Sequence, residues 1–190
     1  VPLSFPIQQN GKTFVSNINM RLKRSVAVSE SPFSFDQQAY EHQGARWECE
    51  VTLRPLNYAE AKSVQAFIVG LKGRLGTFTF GSPLHNSTTT ASVASAAIRA
   101  ESFTTTAGSG AIAAGDYFQL GDYLYMATAD KASGANVLSF QPPLRAAVTT
   151  STALVFTLPK SLWRLSSNDI GWSVDTASIY GFTFAFVEAL

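Results

Sequence analysis

From Tyr180 to Phe186 every second residue is aromatic: Tyr180, Phe182, Phe184 and Phe186 alternate with Gly181, Thr183 and Ala185. Successive side chains of an extended strand point to opposite faces, so this pattern sets a row of rings on one face, and such a row needs partner strands. The natural partners lie before residue 81. That pairing makes 84–158 an insertion into a sheet domain built from 1–83 and 159–190, closed only when the C-terminal strand joins it.

The N-terminal half supplies the partners. Ile18, Met20, Leu22, Val26 and Val28 alternate with Asn19, Arg21, Lys23, Ser25 and Ser29, which predicts a half-buried strand with Arg24 as its one misfit. A second strand is expected over 33–42, followed by a turn at Gln43-Gly44 and a third strand over 45–56. In that third strand Trp47, Cys49, Val51 and Leu53 face one way, and Arg46, Glu48, Glu50, Thr52 and Arg54 the other. Beyond Pro55, Asn57 and Glu60 stand at the spacing of a capping box and predict a helix over about 58–72. Its apolar residues Ala61, Val64, Phe67, Ile68 and Leu71 recur on one face, and Gly73 sits where helices prefer to stop. Phe78 and Phe80 then share a face of a strand between Gly76 and Gly81. The expected core is Trp47, Val51, Leu53, Phe67, Leu71, Phe78, Phe80, Phe182 and Phe184.

Composition changes at residue 82. Between Ser82 and Gly110 the chain is rich in Ser, Thr and Ala, which predicts a connector over 84–110 or polar strands at a contact surface. Short strands follow over 116–120, 123–127, 136–141 and 153–157, punctuated by Gly121-Asp122, Ser133-Gly134 and Pro142-Pro143. Strands of this length joined by tight turns predict a small β-barrel or sandwich. The fold class is therefore mainly β: an N-terminal β-sandwich with one packed helix, closed by the C-terminal strand and carrying an inserted small β-domain.

Groups that titrate, attack or bind metal are scarce. His42 and His85 have no second ligand at metal-binding spacing, and Cys49 falls on the core face of its strand, so no metal, no cofactor and no catalytic thiol are expected. Glu48 and Glu50 share a face at about 7 Å, the separation of a glycosidase pair, but Arg46, Thr52 and Arg54 beside them make a mixed-charge face the plainer reading. Arg21, Lys23, Arg46, Glu48, Glu50 and Arg54 are accordingly candidates for a subunit-contact or lumen face rather than for catalysis. A formal net charge of +1 argues against a dedicated nucleic-acid binder. Tyr117, Tyr123, Tyr125 and Trp172, if exposed, would suit stacking on sugars. The charged fraction of 14% lies below the roughly 25% of soluble domains and suits subunit packing. No apolar run reaches the roughly 20 residues of a membrane span, and Val1 to Pro6 lack the pattern of a signal peptide, so synthesis in a cytoplasm is expected.

The stretch Gly44-Ala45-Arg46-Trp47-Glu48-Cys49-Glu50-Val51-Thr52-Leu53-Arg54-Pro55-Leu56, the helix with Ala66-Phe67, and Leu71-Lys72-Gly73-Arg74-Leu75-Gly76-Thr77-Phe78 resemble tail proteins of siphophages and related prophages. So do Ala114-Gly115-Asp116-Tyr117-Phe118-Gln119-Leu120-Gly121, Leu124-Tyr125, Gln141-Pro142-Pro143-Leu144-Arg145 and Glu188-Ala189-Leu190. The resemblance covers roughly 44–81 and 111–190. It departs at Gly81-Ser82-Pro83, where the related sequences tend to carry Asp before Pro. What it implies is a distal tail protein at the virion tail tip: a ring-forming subunit, commonly in six copies, between the tail tube protein and the baseplate hub protein. Receptor-binding or fibre proteins are further implied partners, and DNA would pass through the hole without sequence recognition. The family carries no catalytic residue. A tail-tube or tail-terminator subunit is the alternative within the same ring logic, and it would show a long protruding hairpin, for which 82–110 is the candidate. A carbohydrate-binding adhesin module is the other alternative.

Overall fold

Six strands from the two ends of the chain hydrogen-bond into one sheet, in the spatial order Leu3–Ser4, Phe78–Gly81, Lys160–Leu165, Thr183–Glu188, Gln37–Leu53, Val15–Glu30. The computed structural model describes residues 3–5, 8–9, 12–82, 87–149, 151–175 and 178–190, with residues 8, 9, 12 and 43 described by backbone alone. The protein is mainly β, and among the described residues it has one α-helix. The aromatic strand Thr183–Glu188 lies in the interior of the sheet, antiparallel both to Gln37–Leu53 and to Lys160–Leu165. Its rings stack, with centroids 5.8 Å apart for Phe182 and Phe184 and 6.0 Å for Phe184 and Phe186.

The helix Tyr58–Leu71 begins as its sequence predicts. Asn57 Oδ1 accepts from the Glu60 amide at 3.0 Å, and Glu60 Oε2 accepts from the Asn57 amide at 3.2 Å, so two amides at the helix start are satisfied reciprocally. Ala61, Val64, Ile68 and Leu71 are buried against the sheet, with Phe67 half-buried beside Phe5 and Phe78. Both Lys72 and Gly73 take the left-handed conformation at the helix end. Gly76 must then pass close to the helix, since a Cβ there would meet the Leu71 carbonyl oxygen at 2.6 Å. The expected core residues all belong to this cluster.

Residues 91–156 form the inserted unit. Its strands run in the order Thr152–Leu154, Ala91–Ser95, Ser102–Thr105, Val137–Gln141, Tyr123–Ala127, Tyr117–Leu120. Reciprocal backbone bonds between Gln119 and Val155, at 2.8 and 3.0 Å, join the last strand to the first and nearly close a barrel. Phe103, Phe118, Tyr125, Phe140 and Phe156 fill it. Of the stretch expected as a connector over 84–110, residues 84–86 lie outside the described residues, and Ala91–Ser95 and Ser102–Thr105 are strands of the barrel wall. Ala91, Val93, Phe103 and Thr105 are buried while Ser92, Ala94, Ser102 and Thr104 are more exposed, and a polar Thr105 inside with an apolar Ala94 outside makes the alternation faint in the sequence.

The N-terminal hairpin corrects the sequence reading most. Gln37–Leu53 is one continuous strand, paired with Val15–Glu30 along its length, so 33–42 and 45–56 are not separate strands. Gln43-Gly44 is no turn: the register passes from Arg24↔Ala45 to Ser25↔His42, and the two extra residues form a bulge. The chain reverses instead at Ser31–Asp36. Val26 and Val28, expected to be half-buried, are exposed, because beyond the bulge the hairpin leaves the sheet. Six residues per strand, 25–30 and 37–42, make an arm about 20 Å long.

Candidate functional site

On the outer face of the sheet, Arg21 lies opposite Glu48, and Lys23 opposite Arg46. Strand alternation sends Arg46, Glu48 and Glu50 to this face because Trp47, Cys49 and Val51 occupy the core side. Glu48 is nearly buried between cations: Arg21 Nε reaches one carboxylate oxygen at 2.9 Å, and Arg46 Nη2 reaches the other at 2.9 Å, with Lys23 Nζ at 3.9 Å. The Arg46 hydrogen bond chiefly holds the Glu48 carboxyl below the usual range, against the opposing effect of burial, and Arg21 and Lys23 add to it. A carboxyl held ionised in this way does not supply the general acid that a glycosidase pair needs. These residues, with Glu50 and Arg74, line a groove of about 490 Å³ carrying four basic and two acidic groups.

Because the folded pKa of Glu48 lies below its unfolded value, its contribution is present above pH 4.5 and is lost as pH falls through the folded value. Glu48→Gln is expected to cost about 1–2 kcal/mol near neutral pH, the exposed cations being partly screened, and the gap from the parent should close in acid. Urea melts at neutral and acid pH check this. A gap that widens in acid would contradict it.

Arg54, expected on this face, is placed elsewhere. Its guanidinium binds Glu60 at 2.7 Å and lies over the Phe14 ring at 5.5 Å, fastening the strand to the helix start. The groove continues instead along the sheet. It shares Ser166 and Ala185 with a hollow of about 200 Å³, which in turn shares Gly171 and Thr183 with one of about 530 Å³ bordered by Pro55, Trp172 and Phe182. Together they make a trough with a basic end and an apolar end. Trp172, at its apolar end, is 41% exposed.

The arm tip was not legible as a site. Phe33 and Phe35 are 95% and 73% exposed. The loop that carries them is ordered by its own bonds: Ser31 donates its amide to the Asp36 carbonyl at 2.9 Å, Phe35 donates to the Ser31 carbonyl at 2.9 Å, and Ser34 Oγ donates to Asp36 at 2.6 Å. Phe35 sits at φ 58°, a conformation unfavourable for a bulky residue that these bonds hold in place.

A second feature outside the sequence reading joins the two units. Glu188, on the ring-bearing strand, has a fully buried carboxylate that accepts from Arg145 Nη2 at 2.9 Å and from the Trp47 amide at 3.1 Å. Arg145 belongs to the inserted unit and donates also to the Ala45 carbonyl. Burial raises the Glu188 pKa, with Arg145 and the Trp47 amide pulling against it. Trp47 Nε1 donates to the Leu124 carbonyl at 2.8 Å, and its ring lies 5.7 Å from that of Tyr117. The signal for Glu188 was its phase: it is on the same face as Phe184 and Phe186, where a carboxylate needs a partner.

The rings considered for sugar stacking are divided. Tyr125 is buried in the barrel with its hydroxyl accepting from the Arg145 amide at 3.1 Å, Tyr117 packs on Trp47, and Tyr123 is half-buried beside the barrel core. Only Trp172 of the four is exposed. Cys49 is buried, and desolvation pushes its thiol up to about 12. Iodoacetamide at about pH 8 should therefore leave it unmodified in the folded protein and alkylate it in denaturant, whereas native-state alkylation at the rate of a free thiol would contradict this burial. His42 stands on the arm with its ring 4.9 Å from that of Tyr40, and His85 lies outside the described residues. Among the described residues no group of three or more His, Cys, Asp or Glu could hold a metal ion, and no helix is long and apolar enough to cross a membrane. No family model and no curated protein matches the chain.

Proposed function

We propose that this chain is a structural subunit of a phage tail: a distal tail protein whose copies, commonly six, close into a ring between the tail tube and the baseplate hub. The observation that carries the reading is the nested build, in which strands from both ends of the chain share one sheet and a barrel interrupts them. That is the two-part form the sequence resemblance implies. The sheet unit supplies the ring, and the barrel faces the hub or receptor-binding and fibre proteins. DNA passes through the hole without base recognition, in keeping with a formal net charge of +1. The site of action is the virion tail tip, after synthesis in the host cytoplasm.

The arm favours a second reading, a tail-tube or tail-terminator subunit, since that role calls for a long protruding hairpin. The protruding hairpin is at 15–53, whereas the antiparallel strands Ala91–Ser95 and Ser102–Thr105, within the 82–110 expected to supply it, belong to the barrel wall. Imaging the intact particle with this chain labelled separates the two. Label in a single ring at the junction of tube and baseplate supports the distal tail reading; label repeated along the tube, or at its head-proximal end, supports the second; label absent from the tail overturns both.

A further inference from the structure

We infer that the arm of one copy docks in the outer-face trough of a second copy, with Phe33 and Phe35 at the apolar end by Trp172 and the acidic flank of the tip toward Lys23 and Arg74. This rests on the ring-subunit reading and names the contact that would close it. Among the described residues the arm has no partner strand within its own chain: past the bulge its two strands pair with each other, and Phe33 is 95% exposed. An ordered loop that holds out two phenylalanines, one of them at positive φ, is built to fill a pocket, since rigid aromatic anchors lose little entropy on binding.

Charge selects the occupant. Between Ser25 and Tyr40 the charged residues are Glu30 and Asp36 alone, and neither forms an ion pair among the described residues. The groove end of the trough carries a surplus of two positive charges, from Arg21, Lys23, Arg46 and Arg74 against Glu48 and Glu50. An acidic, aromatic tip therefore meets a surface of opposite sign and matching apolar character on another copy of the same chain. The arm is rooted in the strands that carry the basic end of the trough and extends away from the sheet, so the contact is head to tail. Head-to-tail contacts generate rings when the rotation closes.

The test uses complementary variants of the full chain. F33S/F35S removes the anchors and keeps the trough; K23E/W172S spoils the trough and keeps the arm. Sedimentation should find the parent assembled and each variant monomeric, with a single cooperative melt that shows each variant is folded. An equimolar mixture of the two should form a heterodimer through the one intact arm and one intact trough. If K23E/W172S fails to fold, the pair E30K/D36K and K23E/R74E, changed only in charge, takes its place: each alone should be monomeric, and their mixture should reassemble, since reversed arm also meets reversed trough; a mixture that stays monomeric counts as no heterodimer. Arm variants that assemble like the parent overturn the docking and leave the ring reading standing. Variants that dissociate but give no heterodimer place the arm's contact elsewhere and also overturn it. So does arm-dependent binding of a monomeric parent to phosphatidylcholine vesicles, which would make the tip a membrane element. A parent that is monomeric at every concentration, with no vesicle binding, removes both readings.

Discussion

Arg145→Ala is expected to destabilise the protein by about 3–5 kcal/mol, lowering the melting temperature by about 6–20 °C. The Glu188 carboxylate is fully buried, and Arg145 is the cation that pairs with it. Removing the guanidinium leaves that buried charge without its partner, Arg145 being the cation that pairs with it among the described residues. Burial already raises the folded pKa of Glu188, so the loss of Arg145 raises it further. A carboxyl whose folded pKa lies above its unfolded value favours the native state most in acid and loses that contribution as pH rises through the folded value. The variant should therefore be weakest at neutral pH and recover toward the parent below about pH 4.5. The double change Arg145→Met with Glu188→Leu should restore part of the stability, because it removes both charges and keeps the volume, while the Trp47 amide and the Ala45 carbonyl lose these partners. Thermal melts of the three proteins across pH check this; an Arg145→Ala deficit that is independent of pH would contradict it.

Phe186→Ala is the second large effect, expected to cost about 3–5 kcal/mol. Its ring is fully buried, 4.8 Å from Phe78, 5.6 Å from Phe5 and 5.8 Å from Phe80, so truncation opens a cavity walled by three other rings that the strands cannot collapse. Phe33→Ala, at the arm tip, should change the stability of the isolated subunit by less than about 0.5 kcal/mol. Chemical denaturation of both variants makes the comparison. Equal effects would mean that the tip, and not only the sheet, packs against the subunit's own core.

The contrast between these two phenylalanines shows what alternation in a sequence conveys. The ladder from Tyr180 to Phe186 needed a sheet on its ring face, and with the partners before residue 81 it led to the nested organisation and to the core. Val26 and Val28 alternate equally well, yet they face outward, because periodicity reports a face that can be covered and not whether the same chain covers it. Gln43-Gly44 has the composition of a turn and acts as a bulge, a choice made by pairing partners rather than by local preference. The strands Ala91–Ser95 and Ser102–Thr105 are faint in the sequence because Thr105, a polar residue, faces inward and Ala94, an apolar one, faces outward. Of the candidate face, Arg21, Lys23, Arg46, Glu48 and Glu50 do converge, since one strand face and its register neighbour suffice to place them. Arg54 does not, because the helix start captures it through Glu60. The partnership of Arg145 and Glu188 spans the inserted unit and the closing strand, and only the three-dimensional fold brings them together.

We propose that copies of this chain close into a ring. Native mass measurement of the purified full chain, across a range of concentrations and paired with class-averaged images of the same sample, tests it most directly. The account predicts a dominant species at six times the 20.4 kDa subunit mass, with a central hole and sixfold symmetry. A single subunit mass at all concentrations, with no closed ring in the images, would contradict it.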